Sequence, residues 1–158
     1  MLVAVGCLAG RRWVDRLAWT AVAFGVWDIG YYVWLWVFIG WPHSPGTWDV
    51  LFLIPSPWTG PVLVPVAVSS ALIAFGLLAA YRTTSGRAPR VGPAVASTAV
   101  IGGAVVVVSF LANGPALPSG GPPGWYPWLV FWLGTALASL AAVAALRGGA
   151  GDNPQTAA

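Results

Sequence analysis

The stretch that decides the fold runs from Leu17 to Gly40, LAWTAVAFGVWDIGYYVWLWVFIG. Asp28 is its only charged residue. The run is long enough to cross a bilayer core of about 30 Å, which takes roughly 20 apolar residues in a helix. Three more such stretches follow, about Gly60 to Tyr81, about Gly92 to Asn113 and about Tyr126 to Leu146. The expected fold class is therefore all-α: a polytopic membrane protein, a bundle of four transmembrane helices, with all 158 residues in one integral membrane domain.

Composition points the same way. The chain is 58% hydrophobic and only 7% charged, whereas a soluble domain carries about 25% charged residues. Seven Arg and four Asp make up the charge, with no Lys and no Glu. That leaves too few charges to cover a water-facing surface, which excludes the soluble, disordered and nucleic-acid-binding classes. The net charge of +3 does not reverse this, because the Arg residues sit between the apolar runs and act as topology markers. Absent Lys and Glu beside abundant Ala, Gly, Val and Arg suggest a GC-rich bacterial genome.

Every Arg falls before the first span (Arg11, Arg12, Arg16), between the second and third (Arg82, Arg87, Arg90) or after the fourth (Arg147). The positive-inside rule then puts both termini and the middle loop in the cytoplasm of a bacterial inner membrane, with 147–158 as a flexible cytoplasmic tail. Eight of the eleven tryptophans, Trp34, Trp36, Trp41, Trp48, Trp58, Trp125, Trp128 and Trp132, lie toward the opposite, outer ends, as an aromatic belt does. The short apolar run Leu2 to Ala9 allows two readings: an interfacial extension of the first span, or the tail of a further helix. Small residues at four-residue spacing should let helices approach closely: Ala21 and Gly25, Ala99 and Gly103, and Gly134, Ala138 and Ala142.

Asp28 sits near the middle of its span. A carboxylate at that depth costs about 2.5–3.5 kcal/mol on insertion scales, so it should face the interior or a wet cavity. Tyr31 and Tyr32 lie at i+3 and i+4, on the same helix face. Ser69, Ser70, Ser109, Thr135 and Ser139 are the hydroxyls available from other spans. A second feature is Trp48 to Pro65, where Pro55, Pro57, Pro61 and Pro65 interrupt any regular helix. The simplest solution is a short helix at about Val50 to Ile54 on the outer face, then a Pro-Ser-Pro-Trp turn that lies along the interface or dips in as a re-entrant piece. The candidate ligand-binding residues are Asp28, Tyr31, Tyr32, Trp48, Asp49 and Trp58.

No metal or cofactor is expected. The one histidine, His43, lies about 20 Å along the helix from Asp28, so the two cannot share an ion, and a haem would have only His43 or Met1 as an axial ligand. One cysteine, Cys7, excludes an intramolecular disulfide.

The run FGVWDIGYY (Phe24 to Tyr32), followed by Gly40-Trp41-Pro42 and by TWDVLFLIPSPWTGP (Thr47 to Pro61), resembles a pattern found in uncharacterised small multi-pass membrane proteins of bacteria. The resemblance implies membrane helices and brings no activity with it. Three expectations for function stand. The first is a non-enzymatic accessory or assembly subunit, with the lipid bilayer and other membrane subunits or further copies of itself as partners. The second is a small-molecule binding or transport protein with an outward-facing aromatic pocket around Asp28. The third is an intramembrane enzyme using Asp28 and Asp49 as acid and base.

Overall fold

The computed structural model describes residues 1–54, 56–112 and 124–148. In chain order these form α1 (Leu2–Ala9), α2 (Trp13–Ile39), β1 (Trp48–Phe52), β2 (Trp58–Pro61), α3 (Leu63–Thr84), α4 (Pro93–Leu111) and α5 (Trp128–Gly148). Four helices, α2 to α5, are long and apolar enough to cross a membrane. They fall within a few residues of the four expected spans. The expected tail 149–158, the end of the third span at Asn113 and most of the 114–124 loop lie outside the described residues, as does Pro55.

Leu2 to Ala9 is neither frayed nor continuous with α2. Gly10 adopts an extended backbone, with φ −100° and ψ 138°, and ends α1. The chain then reverses through Arg11 and Arg12. The Arg12 N–H donates to Asp15 Oδ2 at 3.2 Å and Arg16 Nε to the Gly10 carbonyl at 3.3 Å. A Cβ on Gly6 would strike Thr20 and the Arg16 backbone, and one on Gly10 would strike Arg16 and Asp15. As numbers rise on α1 they fall on α2, so α1 is folded back antiparallel against the first turns of its neighbour.

The expected short helix at about Val50 to Ile54 is a β-strand. β1 pairs antiparallel with β2, in the register Trp48↔Pro61, Asp49↔Gly60 and Val50↔Thr59, with an irregularity before Phe52↔Trp58. A helix of five residues leaves nearly all its N–H and C=O groups without intrahelical partners. A two-stranded ladder satisfies many of them, and Trp, Val and Phe suit a pleated surface. Pro61 lacks an N–H, which is tolerated at the end of a strand. The hairpin also supplies the cap that α3 lacks. The Val62 N–H donates to Thr47 O at 2.9 Å and the Leu63 N–H to Pro45 O at 2.8 Å, and Pro65 falls in the first turn, where no N–H is needed.

The four long helices pack as two pairs, α2 with α3 and α4 with α5, and the pairs meet mainly along α3 and α5. Within each pair, glycines let backbones touch. A Cβ on Gly102 would lie 2.8 Å from Gly134 O, and one on Gly134 would lie 2.8 Å from Gly102 O. The residue used on α4 is Gly102 and not the expected Gly103, around which nothing lies within 4 Å. One step along a helix is a rotation of about 100°, enough to turn a residue from the neighbour to the outside. At the Arg-rich end, Arg82 Nη1 donates to Leu146 O and so joins the two pairs, while the Arg90 N–H, on the lead-in to α4, donates to Ala145 O, both at 3.0 Å. The buried aromatic core lies at the other end, where Val64, Phe110, Tyr126 and Phe131 meet under the hairpin's Trp48, Leu51 and Trp58.

Candidate functional site

Asp28 comes just past the middle of α2, one turn beyond Gly25. That glycine sets the site. A Cβ there would lie 2.6 Å from Ser69 O and 2.7 Å from Ile73 Cγ1, so only glycine lets α3 come this close. The approach delivers the buried Ser69 hydroxyl to Asp28, where it donates to Oδ2 at 2.8 Å. Among the described residues, Ser69 is the only hydrogen-bond donor to this carboxylate. The side chain is half-buried.

One turn farther along α2, the buried Tyr32 hydroxyl donates to Asp49 Oδ2 at 2.9 Å. The other oxygen of Asp49 takes the N–H of Val50 at 2.8 Å. This ties the start of β1 to the wall of α2. Two carboxylates, each receiving a hydroxyl hydrogen, are thus held at successive turns of α2. Tyr31 lies edge-on to Tyr32, with centroids 5.2 Å apart, and is itself exposed. Trp41, on the loop after α2, comes within 6.2 Å of the Tyr32 ring. Gly40 turns the chain toward it in the left-handed region, at φ 68°, with its N–H on Trp36 O.

The six sequence-predicted residues therefore divide. Asp28, Tyr31, Tyr32 and Asp49 form one polar strip along α2. Trp48 and Trp58 belong to the aromatic core instead: Trp48 lies edge-on to Tyr126 at 6.1 Å, and Trp58 stacks on Phe110 at 6.3 Å with 19° between planes. A hairpin directs neighbouring residues to opposite faces, so Asp49 turns to α2 while Trp48 turns to α4 and α5. A short helix would have spread them differently. Tyr126, absent from the predicted set, shares a hydrogen bond with Ser109 at 2.8 Å. Its signal in the sequence was weak, since it reads as the start of a span. His43 is exposed, and among the described residues no three His, Cys, Asp or Glu side chains converge.

Two buried polar atoms of the hairpin, Trp58 Nε1 and Thr59 Oγ1, have no hydrogen-bond partner among the described residues. On α2 itself, Val26, Trp27, Tyr31, Trp34 and Phe38 remain exposed. With Gly30 and Leu35 they line a shallow apolar groove of about 450 Å³.

This geometry defines a mostly helical protein with four apolar helices and a polar strip on the first of them. No family model matches the chain, and neither a curated protein nor a solved structure is similar to it.

Proposed function

We propose that the chain spans a bacterial inner membrane four times, as a bundle of two helical pairs. Both termini and the α3–α4 loop are cytoplasmic, and the hairpin lies on the outer side. It works there as a non-enzymatic accessory or assembly subunit of a larger membrane complex. The observation that carries this reading is Asp28. It is half-buried near mid-helix with a single donor among the described residues, on a helix that packs mainly on α1 and α3. A carboxylate facing lipid at that depth is costly. A second protein seated on the exposed Trp27, Tyr31 and Trp34 face would cover it and supply the missing donor. Purification of the full chain in mild detergent at several expression levels tests this. A stoichiometric membrane protein, or a stable multiple of this chain, is the expected result; recovery of the monomer alone overturns the reading.

A second reading is favoured by the strip itself. Asp28 with Ser69, and Asp49 with Tyr32, place two carboxylates on one line toward the outer side, an arrangement suited to a cationic small molecule entering from outside. Quenching or enhancement of tryptophan fluorescence across a library of organic cations is its screen, and no response above baseline counts against it.

A further inference from the structure

At the Arg-rich end, a cleft of about 600 Å³ opens between the α1–α2 turn and the last turns of α3. Arg11, Arg12 and Asp15 line one part of it, and Trp19, Leu77 and Tyr81 another. The arginines of this end do not all have the same work. Arg16 and Arg82 hold backbone carbonyls. The guanidinium groups of Arg11 and Arg12 make no hydrogen bond or ion pair among the described residues, and both residues are exposed. Asp15 is the opposite case. It is only 8% exposed, its Oδ2 takes the Arg12 N–H, and its Oδ1 is buried with no donor among the described residues. A buried carboxylate oxygen without a donor is costly, and two arginines on the same cleft leave it unmatched.

We propose that this cleft is a binding site for a phospholipid whose headgroup carries both a phosphate and an N–H-bearing ammonium, the chemistry of phosphatidylethanolamine. The phosphate meets Arg11 and Arg12, as basic pockets between membrane helices hold lipid headgroups. The ammonium supplies the donor that Asp15 lacks, which takes a small opening of the Arg11–Arg12 turn because Oδ1 is shut off from the cleft in the structure. The acyl chains leave along Trp19 and Leu77, which is what makes the ligand a lipid and not a free phosphoamine. A quaternary ammonium has the same charge and no N–H, so phosphatidylcholine meets the arginines and leaves Asp15 unsatisfied. The inference rests on the membrane placement proposed above and not on the subunit reading.

The test is native mass spectrometry of the full chain in detergent, with added phosphatidylethanolamine, phosphatidylcholine or phosphatidylglycerol of matched acyl chains. Phosphatidylethanolamine is expected to remain bound under activation that strips phosphatidylcholine. Arg11→Gln and Arg12→Gln should each weaken its retention about fivefold. Asp15→Asn should abolish the preference for ethanolamine over choline while lipid still binds. Equal retention of the two zwitterionic lipids by the unaltered protein overturns the proposal, as does a double R11Q/R12Q variant that binds like the parent. Tighter retention of phosphatidylglycerol overturns the role of Asp15, and displacement by equimolar soluble phosphoethanolamine overturns the lipid. Should D15N fail to fold, the comparison of lipids on the unaltered protein decides alone. Protein partners play no part in this readout, so its failure and that of the subunit reading are separate events.

Discussion

Asp28 accepts one hydrogen bond, from Ser69, and two replacements separate its charge from its shape. Asn keeps an acceptor for Ser69 and removes the titratable proton; Leu removes both. Under the subunit reading, Asp28→Asn should keep its partner, whereas Asp28→Leu should lose it and destabilise the fold by about 1–3 kcal/mol, because the Ser69 hydroxyl is left buried and unpaired. Pull-down yield and thermal midpoint measure the two effects. Loss of function by Asn with normal yield would instead point to a proton or cation held at Asp28. Thr59 poses the reverse problem. Its hydroxyl is buried, at 1% exposure, and has no partner among the described residues, so Thr59→Val removes a polar group that gains nothing from being inside. Stability should rise by about 1 kcal/mol, seen as a higher thermal midpoint; a lower one would mean that the hydroxyl is satisfied in the folded protein. Asp28 itself was legible in the sequence, since one charge in an apolar run announces itself. Its donor was one of several candidate hydroxyls, because the sequence does not say which face of α3 approaches Gly25.

The four long apolar helices were legible because hydrophobic length is a property of each element alone, and their ends lie within a few residues of the expected ones. The hairpin was not. Val50 to Ile54 is a short apolar run, which periodicity cannot divide between helix and strand, and the deciding partner, Trp58–Pro61, lies beyond two prolines. The consequence reached the site, since strand alternation separates Trp48 from Asp49. Helix faces were legible only to within one residue, as Gly102 and Gly103 make plain. That pair gives a paired test. Gly102→Ala drives a Cβ against the α5 backbone at Ala138 and Gly134 and should cost about 1–3 kcal/mol. Gly103→Ala meets open space and should stay within about 0.5 kcal/mol of the parent. Thermal unfolding in one detergent compares the two, and equal effects would mean that α4 and α5 pack through another face.

At the scale of the whole molecule, the Arg-rich and aromatic ends give the chain its polarity. Arg87, exposed between α3 and α4, is the residue on which to test orientation. In a Cys7→Ser background, needed because Cys7 is itself exposed, Arg87→Cys should resist an impermeant thiol reagent in intact cells and react once they are opened. Labelling from outside would invert the topology. The two helical pairs carry a consequence for biosynthesis. Each pair buries its own glycine seam, α2 on α3 through Gly25 and Gly76, α4 on α5 through Gly102 and Gly134. Under the membrane placement proposed above, each can therefore leave the translocon as a self-contained hairpin before the other has been translated. What remains for late assembly is the meeting of α3 with α5, fastened by Arg82 on Leu146 O. A chain cut at Gly86 and expressed as two separate polypeptides should thus reassemble in the membrane, and each half should insert when made alone. Replacing Arg82 by Ala should weaken the rejoining of the halves far more than the insertion of either one.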